Sequence, residues 1–444
     1  MNSRFKYGVV ILSTVLVCFL LIGVVLGQST PGAGDPYRHL NVFTEVFAKI
    51  KAEYVEEPDM KNVALGAING LLVSMDPFSS YLNKEQYEAY QRAKREPKAN
   101  VGLVLSRKYG FEMGVVDAIA GSPAHAMGLS TGDIIEAING ISTRDMPLAF
   151  ADVLLQGEPG STLELTVLRL RRPEPTTIKL VRAPIVPPPL TAKLMPDATA
   201  HLIVRQLAAG ESAVIAQRIR ELEKQGARKL ILDLRNCAIS APEEGIALAD
   251  LFLDSGSIAT LQGQRVEQQS FTATPGKTVW RGPLVVLTNR GTAGAAEIAA
   301  SAILENKRAE VVGERTYGDA ALRKAIPTED GGAVLLAVAK YYSPSGKAIQ
   351  DAALTPTHAV VDTTAQDPAE GDEGELPMQP GAQPGLPGAP AAPPPAGPPS
   401  GEDKILEKAI EVLSGKAGAD GQQAAQALAP SLLPRIGHPR AARP

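Results

Sequence analysis

Residues 191–362 alternate between short apolar segments and helical segments, and this order restricts the fold more than any other feature of the chain. The run 229–234, KLILDL, has the composition of a buried strand, and a helical pattern follows it at 243–253. A second apolar run at 284–287 is followed by a helical pattern at 293–305. This alternation predicts a largely parallel or mixed sheet that is buried between helices.

The segments before this α/β region have two other patterns. Residues 99–185 contain short β-type runs separated by glycine turns, with one helical run at 147–156, and this predicts a small β-rich domain. Residues 40–96 carry apolar side chains at helical spacing and predict an N-terminal helical segment. The α/β core is expected to occupy residues 190–362.

The C-terminal part of the sequence is simpler in composition. Residues 363–402 are acidic and then rich in Pro, Gly and Ala, so they have too little apolar surface to fold and are predicted to be a disordered linker. Residues 403–416 have the spacing of a short amphipathic helix. No structure is assigned to residues 417–444, which we interpret as a disordered tail.

An uncharged apolar run at residues 8–27 is long enough to form a transmembrane helix. Arg4 and Lys6 precede it, which predicts that residues 1–7 are cytoplasmic and that the rest lies in the periplasm, anchored in the inner membrane. The alternative is a cleaved signal peptide, although the residues before Gln28 make a poor cleavage site. Both interpretations predict export.

Composition argues against several classes of function. The net charge of −4 gives no basic surface that favours nucleic acid. Cys18 and Cys237 are far apart in the sequence, so they provide no disulfide framework. The five histidines do not have metal-ligand spacing, so we expect neither a metal nor another cofactor.

Three sets of motifs resemble the carboxyl-terminal processing, or tail-specific, serine peptidases. The resemblance covers residues 40–362, and its combined order and spacing are specific although each motif is weak. It implies an α/β peptidase core of the ClpP/crotonase type, with a PDZ domain inserted before it and N-terminal helices that form homodimers in the family. The motifs are 76–82 (DPFSSYL), the PDZ-like 121–135 with Asn139-Gly140, and the core segments 230–236, 249–253, 283–287, 312–318 and 341–346.

The resemblance also implies a serine–lysine dyad, in which a lysine of lowered pKa takes the proton of a serine nucleophile. The family's serine lies in Asn-x-Gly-Ser-Ala-Ser-Ala-Ser-Glu, where this chain has NRGTAGAAE at 289–297. The nucleophile position is therefore Gly294. By the same comparison, the general-base position is Asp319 and a glutamine of the family is replaced by Arg323.

A third motif is altered in the same way. The family's Asn-Asn-Pro-Gly-Gly turn, which helps to form the oxyanion hole, corresponds here to 236–240, NCAIS, so that Ile239 and Ser240 replace its glycines. The core-forming motifs on either side are kept at unchanged spacing. This combination predicts loss of catalysis with retention of the fold.

Rearranged catalytic groups are the alternative. Thr292 or Ser301 could replace the missing nucleophile, and Cys237 offers a thiol. The simpler interpretations are that Thr292 is a helix N-cap, Ser301 a packed helix residue and Cys237 a buried thiol. If Asp319 and Arg323 lay on one helix, their spacing would predict a surface salt bridge.

The PDZ resemblance implies a groove that binds peptide C-termini by strand addition, with backbone N–H groups holding the terminal carboxylate. The predicted groove residues are Val101, Gly102, Leu103, Val104 and Val153, with Leu154 as the alternative to Val153. The competing interpretation is that Leu103 and Val104 are ordinary β-core. The sequence thus predicts a non-catalytic scaffold or regulator that binds protein C-termini or unfolded polypeptides; the alternative is an active serine endopeptidase with a rearranged site.

Overall fold

The structure, a computed structural model, describes residues 36–96, 98–107, 112–169, 174–186, 188–361 and 403–415. The described residues up to Ala67 belong to one unit, and those from Ile68 onward belong to a second. The elements before the β-rich domain are α1 (Pro36–Glu53), α2 (Met60–Val73), β1 (Ser80–Leu82) and α3 (Lys84–Arg95). Apolar side chains of α1, including Phe43 and Val46, are exposed.

The predicted transmembrane helix at residues 8–27 is not supported. No helix in the described part of the chain is both long and apolar enough to cross a bilayer. Helix α1 has 18 residues but carries charged side chains, among them Glu45 and Lys49, whereas a span needs about 20 mostly apolar residues. The single membrane pass, with the inner-membrane and periplasmic placement predicted with it, is therefore not supported. Residues 8–27 themselves lie outside the described residues.

The β-rich domain is an antiparallel sheet with strand order β2-β3-β4-β6-β7, and β5 pairs with β4. Its core is formed by inward-facing side chains such as Met113, Ile135 and Leu165, which are fully buried. Strand β2 lies at the edge of this sheet. The elements are β2 (Leu103–Ser106), β3 (Met113–Ala118), α4 (Pro123–Ala126), β4 (Ile134–Ile138), β5 (Ile141–Ser142), α5 (Leu148–Leu155), β6 (Thr162–Leu168) and β7 (Thr176–Val181).

The core contains a six-stranded sheet of order β19-β16-β15-β11-β9-β8, in which every neighbouring pair is parallel except β8 with β9. The order of strands and helices predicted from the sequence is therefore present. The elements are β8 (Thr191–Leu194), β9 (Thr199–Ile203), β10 (Gln206–Leu207), α6 (Glu211–Lys224), β11 (Lys229–Asp233), β12 (Ile239–Ser240), α7 (Pro242–Asp250), β13 (Ser257–Gln262), β14 (Gln269–Thr272), β15 (Leu284–Thr288), α8 (Ala295–Glu305), β16 (Glu310–Gly313), β17 (Ala321–Pro327), β18 (Ala333–Tyr342), α9 (Ile349–Ala352), β19 (His358–Ala359) and α10 (Lys404–Leu413).

Both faces of this sheet are covered, which explains why β11 reads as a continuous apolar run. Leu230 and Leu232 face the cluster that includes helices α6, α7 and α8. Ile231 faces the opposite way, into a cluster with Ile405 and Ala409 of the C-terminal helix α10. Because successive side chains of a strand point to opposite faces, each face of β11 packs against a different set of helices.

The C-terminal helix is also held by charge. Arg235 Nη1 and Nη2 donate to the two carboxylate oxygens of Asp403 at 2.8 and 2.9 Å. Arg235 also donates to the fully buried Asp233, which accepts a further contact from His201 Nε2 at 3.0 Å. Burial alone would raise the pKa of Asp233, but the hydrogen bonds from His201 and Arg235 hold it well below its usual value.

A second sheet, of order β1-β18-β13-β14 with β17 also paired to β18, places the N-terminal motif against the core. Asp76 Oδ1 accepts the backbone N–H groups of Phe78 and Ser79 at 2.8 and 2.7 Å, which fixes the turn into β1. This turn places the Phe78 ring against Tyr317, with ring centroids 6.1 Å apart.

Candidate functional site

Gly294 occupies the turn between β15 and α8, where the sequence comparison places the nucleophile. Its backbone has φ +62° and ψ −119°, a conformation that glycine adopts without steric cost. The helix was expected to begin at residue 293; it begins at Ala295 because of this turn. A Cβ built on Gly294 would lie 2.7 Å from Ser240 Oγ, so a side chain at this position would require the Ser240 hydroxyl to move.

Ser240 fills the place where an oxyanion would be stabilised. The backbone N–H that follows a nucleophile at a strand-to-helix turn is a usual oxyanion donor. Here the N–H of Ala295 donates to Ser240 Oγ at 3.0 Å. The donor is therefore already satisfied by the chain itself.

Glu297 keeps the loops around the site in place. Its buried carboxylate accepts the backbone N–H groups of Gly294, Gly318 and Asp319 at 3.0, 2.7 and 2.7 Å, and also a hydrogen bond from Thr316. Burial raises the pKa of Glu297 to about 7, against the lowering effect of these hydrogen bonds. The Glu297 carboxylate thus joins the turn at Gly294 to the loop at Gly318 and Asp319.

Asp319, which the motif comparison assigns to the base position, forms a salt bridge with Arg323. The pair is not helical: Asp319 lies in the loop before β17, and Arg323 lies in that strand beside a register shift. The Arg323 guanidinium also lies over the Phe78 ring, 4.3 Å from its centroid. A carboxylate bound to a guanidinium is a poor acceptor for a nucleophile's proton.

The alternative nucleophiles have structural roles. Thr292 is fully buried, donates to Leu234 O at 2.8 Å and accepts the N–H of Asn289 at 3.0 Å. Its predicted role as a helix N-cap is wrong, because Gly294 is the cap residue.

The other two candidates are buried as well. Ser301 is packed inside α8, and Cys237 is fully buried. Burial raises the pKa of the Cys237 thiol well above its usual value, which keeps it protonated.

The PDZ groove opens directly onto this site. A cavity of about 610 Å³ lies between the edge strand β2, helix α5 and the core. Of the groove residues predicted from the sequence, Gly102, Leu103 and Val104 line this cavity, whereas Val101 is fully buried and Val153 is not among the lining residues. The residues of α5 that line it are Leu148, Ala149 and Asp152, with Gln156 just beyond, and the core contributes Ile239, Asp319 and Arg323.

Asn100 was missed by the sequence analysis. Its Oδ1 accepts the backbone N–H groups of Val101 and Gly102 at 2.6 and 3.1 Å, in the loop expected to hold a peptide carboxylate. A bound carboxylate would have to displace this side-chain oxygen. The only available signal was a hydrogen-bonding residue immediately before the loop.

Comparison with known proteins agrees with this architecture. A profile of peptidase family S41 matches residues 199–360, and a PDZ domain profile matches residues 114–169. The carboxyl-terminal-processing protease of a Picosynechococcus strain is 31% identical over 317 residues, which cover 70% of this chain and 76% of that protein. The carboxy-terminal processing protease CtpA of Bacillus subtilis is 29% identical over 366 residues, 80% of this chain and 77% of that protein.

A solved structure is similar as well. The photosystem II D1 C-terminal processing protease superposes with a TM-score of 0.59 at 26% identity, over 72% of this chain and 92% of that one. The resemblance inferred from the motifs is therefore confirmed for the family and for the PDZ domain.

Proposed function

Because this chain belongs to peptidase family S41 and carries a PDZ domain, we propose that it binds the C-termini or unfolded segments of other proteins and does not cleave them. Its relatives include proteins named carboxyl-terminal processing proteases. The observation that carries the proposal is the absence of a side chain at Gly294, where Ser240 Oγ also occupies the adjacent space.

Three separate requirements of acyl transfer are not met at this site, and each unmet requirement supports the proposal. A nucleophile is missing at Gly294, and the base position holds Asp319, which is paired with Arg323. The N–H of Ala295 is taken by Ser240, and loss of one oxyanion donor alone costs about 10²–10³ in rate. Each defect would slow peptide hydrolysis by itself.

The binding part of the proposal is supported by the edge strand of the PDZ sheet. Among the described strands, β2 pairs only with β3, so its other edge is available for an added peptide strand. The cavity beside it has the size of a small-ligand or peptide-side-chain site.

The experiment compares the purified protein with an active family member on a substrate that has an unstructured C-terminal tail. We expect no cleavage by this protein but saturable binding of the tail peptide, measured by fluorescence anisotropy. Ala149→Trp, which fills the groove from α5, is expected to reduce binding at least tenfold. Ser142→Trp, an exposed site of the same domain, is the matched control and should bind normally.

Two outcomes would contradict the proposal. Cleavage of the substrate that is lost in the Thr292→Ala variant would show that the protein is a serine-type endopeptidase with a rearranged site, in which Thr292 is the nucleophile. Failure of every tail peptide to bind would remove the scaffold function.

A further inference from the structure

Two hydrogen-bond donors beside the former catalytic site have no partner. Within the described residues, Arg323 Nε and Gln350 Nε2 are buried and donate to no protein group. The two side chains adjoin, because Arg323 Nη2 lies 3.4 Å from Gln350 Oε1. Buried donors are nearly always satisfied in folded proteins, so a neighbouring pair of unsatisfied ones calls for an acceptor from elsewhere.

The Arg323 donor is held in a fixed orientation. Phe78 supports one face of the guanidinium at 4.3 Å, and Asp319 binds one of its terminal nitrogens. Arg323 also lines the cavity that begins at Gly102 and Leu103 on the PDZ edge strand. A polypeptide leaving the PDZ groove would therefore pass this side chain.

The charges around the cavity favour a neutral acceptor. Asp319 balances the charge of Arg323, and the other two charged side chains that line the cavity, Lys94 and Asp152, have opposite charges. The lining therefore has no net charge that would attract an acidic side chain, and a carboxylate next to Arg323 would lie close to that of Asp319. A main-chain carbonyl brings an oxygen acceptor without charge, and every polypeptide can supply one.

We propose that Arg323, assisted by Gln350, binds a main-chain carbonyl of the polypeptide whose C-terminus occupies the PDZ groove. The former catalytic loop thereby extends the binding site upstream of the C-terminus without selecting a sequence there. This inference rests on the proposed function, because it requires that the groove binds peptides.

The experiment uses C-terminal peptides of increasing length and measures their dissociation constants on the full chain. A four-residue peptide matches β2, which has four residues, and longer peptides reach toward Arg323. We expect the longer peptides to bind roughly tenfold tighter, as one hydrogen bond to a charged donor allows. Replacing single amides by esters, which weakens one carbonyl acceptor at a time, should reduce this gain at one upstream position.

Two variants distinguish a specific contact with Arg323 from a general effect of positive charge on peptide binding. Asp319→Asn with Arg323→Met removes the donor without leaving an unpaired carboxylate, and it should abolish the gain from length, measured as the ratio of the dissociation constants of the four-residue and the longer peptides on the same variant. Lys324→Met makes the same kind of change at the next, exposed residue and should retain the full gain.

The two proposals fail in distinguishable ways. Equal affinity for short and long peptides, or an unchanged gain in the Asp319→Asn, Arg323→Met variant, would overturn the role of Arg323 and leave the proposed function standing. No binding at any length would remove both.

Discussion

At the scale of single residues, the stability of a side chain at position 294 should depend on the side chain at position 240, because the two would be in contact. Gly294→Ser should be destabilised by about 1–3 kcal/mol, because a side chain is strained at φ +62° and its Cβ would lie 2.7 Å from Ser240 Oγ. The variant should remain unlabelled by a serine-directed phosphonate reagent. Adding Ser240→Gly should recover part of the lost free energy of unfolding, measured by denaturant titration.

Gly276 provides the control for this prediction. It has φ +87° with nothing within 4 Å of a built Cβ, so Gly276→Ser reports backbone strain without a steric contact. If Gly294→Ser costs no more than Gly276→Ser, or if Ser240→Gly brings no recovery, the steric coupling is wrong.

These residues also show what could be predicted from the sequence. Gly294 and Asp319 could be assigned to the nucleophile and base positions because the motifs around them, such as Asn289 to Glu297, are local and keep their spacing. The contact of Ser240 with the N–H of Ala295 was not predicted, since it joins residues 55 apart in the chain. Arg323 over Phe78 was missed for the same reason, because β1 and β17 are brought together only by their common partner β18.

At the scale of elements, α10 is the feature whose role the sequence left open. Amphipathic spacing predicted a helix at 403–416, and the structure has one at Lys404–Leu413. The spacing did not indicate which surface it covers, because the answer depends on the outward-facing side chains of another element, among them Ile231 of β11. Its N-cap residue Asp403 is bound by Arg235, 168 residues earlier in the chain.

The docking of α10 predicts a stability effect. Ile405 is 1% exposed, so Ile405→Ala should lower the free energy of unfolding by about 2–4 kcal/mol through lost burial and a residual cavity. Glu407→Ala, on the exposed side of the same helix, should change it by less than about 0.5 kcal/mol. Equal, small effects of both variants in thermal or urea unfolding would mean that α10 does not pack on the sheet in solution.

At the scale of the whole molecule, the PDZ domain and the peptidase core share one apolar cluster. Val116 of the PDZ strand β3 packs with Phe78, Ala293 and Tyr317 in this cluster. The next residue, Asp117, is buried in the same strand and interacts with Arg205 of the core. The contact between domains therefore contains a titratable group.

Asp117 predicts a pH dependence of stability. Burial raises its pKa from 3.8 to about 7, more than Arg205 lowers it. The folded state thus binds the proton more tightly than the unfolded state, so this contribution is fully present below pH 3.8 and is lost as the pH rises through 7. The free energy of unfolding should fall by on the order of 2 kcal/mol between pH 5 and pH 7 on this account.

Asp117→Asn removes this titration and should flatten that part of the pH profile, measured by urea unfolding at several pH values. Glu297, whose pKa is also raised to about 7, should leave a residual slope of the same sign in the variant. Parallel pH profiles of wild type and Asp117→Asn would mean that the pKa of Asp117 is not raised in the folded state. The stability of the contact between the two domains would then not depend on pH through this residue.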